Sequence, residues 1–215
     1  MSDGTISSKL KTNCEKFCLD TSFIIDAWNT YYPKSIFQCF WNHLESLIMD
    51  RQILLSRTIW IEIFSGNDSA NTDLKKWFGK LEKYIVDVHL NKDITTFYEE
   101  KVKCFYESSN GQKKLKLNDG QIIAFAKIYK LTLVNAEKQR EGKKIDAMSQ
   151  SEIDNMINQI KNLSKTAFKI PDICSSKIID VKWCPFGEFV KRINTQVNLC
   201  GFRDKPPTEL NLFRS

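Results

Sequence analysis

Histidine is scarce in this chain: His43 and His89 are the two imidazoles in 215 residues. Cysteine is more plentiful, but a ligand pattern is missing. Cys14, Cys18, Cys39, Cys104, Cys174, Cys184 and Cys200 are odd in number and contain no Cys-x-x-Cys pair. Neither a structural zinc site nor a disulfide framework is therefore expected, and the thiols read as reduced and mostly buried. Long apolar runs are also missing. No stretch reaches the roughly 18 to 20 apolar residues of a membrane span. The opening MSDGTISSKLKTN has no apolar core of the signal-peptide kind. A cytoplasmic protein without membrane contact is the expectation. No internal repeat is visible.

What is present describes a globular chain: 42% of residues are apolar and 12% are Phe, Trp or Tyr. The length suits one substantial core with additions rather than two ordinary domains. Residues 1–15 read as a polar tail, 16–198 as one domain with a lysine-rich insertion or flap at 138–168, and 199–215 as a C-terminal tail. A net charge of +6 is compatible with contact to phosphate, without demonstrating it.

Strands and helices alternate along the chain. FCL at 17–19 and RQILLS at 51–56 read as strands, as do LTLVNAE at 131–137 and KIIDV at 177–181, while LKKWFGKLEKYIVDV at 74–88 reads as another short helix with room for a strand. Between them, Ile36, Phe37, Phe40, Trp41, Leu44, Leu47 and Ile48 recur at helical spacing, with Pro33 suited to the helix start. RTIWIEIFSG, the stripe Ile94, Phe97, Tyr98, Val102 and Phe105, and DGQIIAFAKIYK supply further helices. This alternation predicts an α/β three-layer sandwich around a mainly parallel sheet. Ligands of such sheets bind beyond the carboxyl ends of the strands.

The run FCLDTSFIID then raises a chemical question, because a carboxylate at the exit of a buried strand is costly unless it has a partner or a task. Asp20 ends the first strand, Glu137 ends the third, and Asp119 opens a helix expected beside them. Carboxylates gathered at one edge repel one another and persist when cations neutralise them. Hard, oxygen-preferring Mg²⁺ or Mn²⁺ is the natural occupant. Such an ion can activate water and stabilise in-line attack on phosphorus, with no need for a histidine.

Four motifs in order resemble those of PIN-domain nucleases. FCLDTSFIIDAW resembles their opening strand and acidic residue, and TIWIEIF their helix-borne glutamate. NDGQIIAFAKIYKLTLVNAEK resembles the segment carrying the later carboxylates. KIPDIC followed by KIIDVKWCPFGEFVKRI resembles the tail of a bacterial PIN-like toxin subfamily. The resemblance implies a PIN-like sandwich and a Mg²⁺- or Mn²⁺-dependent ribonuclease. It places the acidic set on Asp20, Glu62, Asp119 and Glu137, with Asp26 and Asp172 as outer candidates. Where many PIN nucleases have Thr-x-Asp, this chain has Asn135, Ala136 and Glu137, so Asn135 replaces a hydroxyl and Glu137 a shorter carboxylate. Thr21, Ser22 and Asn135 become the candidates for orienting water.

Each position also has a structural reading. Asp20 could be a turn cap and Asp119 a helix cap, Glu62 and Glu137 could be surface charges, and Thr21 and Ser22 could close a turn. Lys113, Lys114, Lys116, Lys138, Arg140, Lys143 and Lys144 flank the acidic positions and are either an RNA-binding rim or solvated loop charge. Trp28, Tyr31 and Tyr32 fit packing between the first two helices better than stacking on bases.

The leading expectation is the endoribonuclease toxin of a bacterial toxin–antitoxin or phage-defence pair, with RNA as substrate, a cognate antitoxin as partner and a homodimer as one assembly. A catalytically weak PIN-fold scaffold that binds RNA or protein is the alternative. A dehalogenase-like phosphatase is disfavoured because Ser22 stands where its second aspartate belongs.

Overall fold

The computed structural model describes residues 15–65, 72–106, 117–137, 148–149, 151–155 and 168–196. Its centre is a five-stranded, wholly parallel sheet made of β1 (Phe17–Leu19), β2 (Ile53–Ser56), β3 (Ile85–Val86), β4 (Thr132–Asn135) and β5 (Trp183–Pro185), in the order β3-β2-β1-β4-β5. Helices flank it, giving the expected α/β architecture. β1, β2 and β4 are buried along their whole length, which is why they read as unbroken apolar runs rather than alternating ones.

α1 (Thr21–Asp26) leaves β1 directly and continues as a π-helical turn, Ala27–Tyr31. α2 (Gln38–Met49) buries Phe40, Trp41, Leu44, Leu47 and Ile48, the expected stripe. The helix starts later than Pro33 suggested. Ile36 and Phe37 donate backbone N–H groups to the Pro33 carbonyl in a preceding turn, and both side chains are exposed. Trp28 packs against Trp41 and Trp77, and the Trp41 indole donates to the Tyr32 carbonyl over 2.7 Å. That supports the packing reading for Trp28 and Tyr32.

α3 (Arg57–Ser65) follows β2 without a loop, and α4 (Thr72–Gly79) adds Leu74, Trp77 and Phe78 to the core. α5 (Lys92–Phe97) runs on through a π turn to a 3-10 turn ending at Phe105, burying Ile94, Tyr98, Val102 and Phe105. α6 (Leu117–Ile128) precedes β4, α7 (Ile170–Ser175) precedes β5, and α8 (Phe186–Gln196) closes the described chain. Phe186 and Phe189 of α8 meet Phe23, and Phe189 also meets Phe17, so the last helix packs on the first strand and helix.

The final strand lies further along than expected. KIIDV at 177–181 forms a turn in which Ile179 and Val181 are buried and Asp180 has φ of 45°, while Trp183–Pro185 makes the ladder with β4. Within the insertion, residues 151–155 are helical and Ile153 is buried in the common core. Glu15 of the N-terminal tail accepts from Thr132 and Arg192, and Phe168 at the end of the insertion is buried, whereas residues 1–14, 138–147, 150, 156–167 and 197–215 lie outside the described residues. So do Lys113, Lys114, Lys116, Lys138, Arg140, Lys143 and Lys144. Among the described residues, no helix is long and apolar enough to cross a membrane. Cys18, Cys174 and Cys184 are buried free thiols, whereas Cys39 is exposed.

Candidate functional site

The strand order reverses between β1 and β4: the chain builds outward through β2 and β3 on one side, then returns to place β4 and β5 on the other. Such a switch point leaves a crevice at the carboxyl ends of the two strands. Asp20 and Asn135 occupy those ends. The Asp20 N–H donates to the Val134 carbonyl over 2.9 Å, and the Asn135 amide donates to Asp20 Oδ2 over 3.0 Å.

Asp20 is also the N-cap of α1. Its extended backbone, φ −85° and ψ 156°, turns the carboxylate back so that Oδ2 accepts the Ser22 N–H at 3.3 Å and the Ser22 hydroxyl. The capping reading and the site reading thus coexist. Burial, Asp20 being 6% exposed, pushes its carboxyl up to about 6, and the nearby Glu62 adds to the rise. Hydrogen bonds from Ser22 and the helix-start amides oppose it, most strongly the Ser22 side chain. The result is a carboxyl group held where ionisation is costly.

Glu62, half-buried on α3, is brought to the same place from the other direction. Oε2 accepts the Thr21 hydroxyl, and Oε1 accepts the Asn118 amide at 3.0 Å. Glu62 therefore bridges the starts of α1 and α6. Asp119, the next residue after Asn118, sits in the first turn of α6. Gly120 lets aromatic rings approach this turn: a Cβ there would lie 2.5 Å from Cε2 of Tyr98 and 3.2 Å from Cε2 of Tyr106. Tyr106 had no signal in the sequence. Burial, followed by the charges of Asp119, Cys174, Asp20 and Glu137, holds its phenol well above the ordinary value, so it keeps its proton.

Glu137 is held by partners at the start of α7. Its Oε1 receives Lys169 Nζ at 2.5 Å, and its Oε2 accepts the Ile170 N–H at 3.4 Å. Its own N–H donates to Asn135 Oδ1 over 2.6 Å. A relay thus runs from Asp20 through Asn135 and Glu137 to the start of α7. Lys169, 32 residues from its partner, was not legible as a site residue. Asp172 is fully buried and accepts the Lys169 N–H at 3.0 Å, capping α7. Asp26 closes α1, about 9 Å along the helix from Asp20 at 1.5 Å per residue.

The carboxylates of Asp20, Glu62 and Asp119 offer oxygen, which suits Mg²⁺ or Mn²⁺. Among the described residues, no three His, Cys, Asp or Glu side chains form a ready-made metal cage. Mg²⁺ does not require one, because it keeps several waters and is commonly held by one or two carboxylates. Asp20 offers one such carboxylate and Glu62 lies near it, while Asp119 stands in the first turn of α6 beside Asn118, which bonds Glu62.

The family described as a domain of unknown function, DUF4411, matches residues 17–161. The protein belongs to the DUF4411 family. The DUF4411 match covers Asp20, Glu62, Asp119 and Glu137 and ends before Lys169. No curated protein matches the chain in sequence. Among solved structures, the VapBC2 complex from Rickettsia felis bound to a DNA fragment from its promoter shares 20% identity, covering 56% of this chain and 87% of that one with a TM-score of 0.37. At that overlap the sheet order and site geometry of the DUF4411 chain stand on their own.

Proposed function

We propose that this DUF4411 protein is a PIN-like, Mg²⁺- or Mn²⁺-dependent endoribonuclease, acting in the cytoplasm as the toxin of a toxin–antitoxin or phage-defence pair. The observation that carries the reading is Asp20: a buried carboxyl with its affinity for protons raised, at the switch point of a parallel sheet, beside a second carboxylate. The PIN-like motif order in the sequence supports the same assignment.

Asp20, Asp119 and Glu62 would hold the cation, with Glu62 kept in place by Thr21 and Asn118. The bound ion would supply activation of water and stabilisation of charge on the scissile phosphate. The chain's own part is positional. Ser22 and Asn135 fix the Asp20 carboxylate so that little reorganisation is needed when substrate arrives, and the raised Asp20 carboxyl favours uptake of positive charge.

Purified protein should cleave single-stranded RNA with Mn²⁺ and lose cleavage with a chelator. Asp20→Asn and Asp119→Asn should each lower the rate on the order of a hundredfold or more, with circular dichroism unchanged. Undiminished cleavage in either variant removes the proposed roles.

A second reading, a weakly catalytic scaffold that binds RNA or protein, is favoured by the Glu137–Lys169 pair, which occupies a carboxylate that the resemblance assigns to the metal. Tight RNA binding without cleavage would select it.

A further inference from the structure

Tyr106 presents an unusual condition. Its hydroxyl oxygen is shut away from solvent and has no hydrogen-bond partner among the described residues. Buried polar groups are nearly always satisfied, so an orphaned hydroxyl calls for an explanation. Its location offers one. The ring lies against Gly120, one residue from Asp119, and Asp119 is the first of the charges acting on it, ahead of Cys174, Asp20 and Glu137. The charges of three carboxylates from separate segments thus act on one unused donor. A Cβ at Gly120 would force Tyr98 to shift and press on Tyr106 by a few tenths of an ångström, so the glycine preserves this approach.

We propose that Tyr106 is a positioning residue of the acidic site, whose phenol donates a hydrogen bond to the Asp119 carboxylate once a divalent cation occupies the space beside Asp20. A carboxylate that gives one oxygen to a cation commonly has the other fixed by an outer hydrogen bond, and loss of that bond typically weakens cation affinity 10- to 100-fold. The phenol is spare until the cation arrives, and its donor is then satisfied. This assignment rests on the acidic site being a cation site. It does not require that the substrate be RNA.

The test uses the full chain, Mn²⁺ as the probe, and Tyr106→Phe, which removes the hydroxyl oxygen and leaves the ring against Gly120. Calorimetric titration should show Mn²⁺ affinity falling about 10- to 100-fold in Tyr106→Phe, with the cation-free melting temperature equal or higher. Mn²⁺ should also produce a near-ultraviolet tyrosine difference band in the natural protein that is missing from Tyr106→Phe. A merely structural hydroxyl would move neither readout. Equal Mn²⁺ affinities, an identical band in both proteins, or no Mn²⁺ binding to the natural protein overturns the assignment. RNA cleavage is measured separately: Mn²⁺ binding with the Tyr106 signature but without cleavage rejects the nuclease and leaves Tyr106 in place.

Discussion

Asn135 Nδ2 lies 3.0 Å from Asp20 Oδ2, joining the ends of two adjacent parallel strands through side chains 115 positions apart. Asn135 is fully buried, and its other amide atom accepts the Glu137 N–H. One side chain therefore fixes both the central carboxylate and the first turn of chain beyond β4.

The stability of the protein should carry the signature of Asp20. Its carboxyl titrates near 6 when folded, against 3.8 as the ordinary value. A raised folded value means that its stabilising contribution is fully present below about 3.8 and is lost as pH rises through about 6. The difference amounts to about 3 kcal/mol. Asp20→Asn should therefore melt higher than the natural protein at pH 8 without metal, the gap closing toward pH 4. Melting curves at the two pH values check this, and a gap independent of pH would contradict it.

Asn135→Asp would place a second carboxylate against Asp20 in a buried setting. Without cation it should lower stability at pH 8 by about 3 kcal/mol or more. Mn²⁺ should then raise its melting temperature further than it raises that of the natural protein, since the ion relieves a larger repulsion. Thermal shift with and without Mn²⁺ measures the difference, and equal shifts would show that no ion sits beside these two positions.

The Lys169–Glu137 pair should be worth little in isolation, because the two side chains are 33% and 31% exposed and remain screened by water. A double-mutant cycle with Lys169→Met and Glu137→Gln should give a coupling of about 0.5 to 1 kcal/mol. Glu137→Gln should also keep at least a tenth of the cleavage rate if its task is to tether α7. A loss as deep as that of Asp20→Asn would return Glu137 to the metal shell.

Neutralising Lys138, Arg140, Lys143 and Lys144 together should weaken RNA binding and flatten its salt dependence while Mn²⁺ affinity stays constant. Filter binding across a salt series reads the slope. An unchanged slope would leave these residues as solvated charge.

Much of the scaffold was legible because burial on both faces writes β1, β2 and β4 as short apolar runs, and Asp20 stands out as the acid that ends one of them. The last strand was not. Ile179 and Val181 are as buried as strand residues, yet they belong to a turn with Asp180 at positive φ, and an apolar run alone does not separate the two. Ile36 and Phe37 continue the helical spacing of α2 but lie in the turn before it, so the pattern overran the element. At the site, Asp20, Thr21 and Ser22 were readable as a local unit. The bonds from Asn118 to Glu62 and from Lys169 to Glu137 span 56 and 32 positions, and no local periodicity encodes them. Tyr106 was missed because it follows the helical stripe that ends at Phe105 and carries no pattern of its own.

The central place of β1 also orders events in time. The strand made first has one neighbour, β2, within the next 40 or so residues, but its other flank stays open until β4 has been synthesised. Thr21 needs Glu62, Glu62 needs Asn118, and Asp20 needs Asn135, so the constellation closes only after the chain has passed residue 135. Closing so long a loop costs entropy that local contacts do not repay, which predicts a late place for this pairing in folding. A nascent chain on the ribosome, surrounded by RNA, would carry Asp20 long before it carried a completed centre.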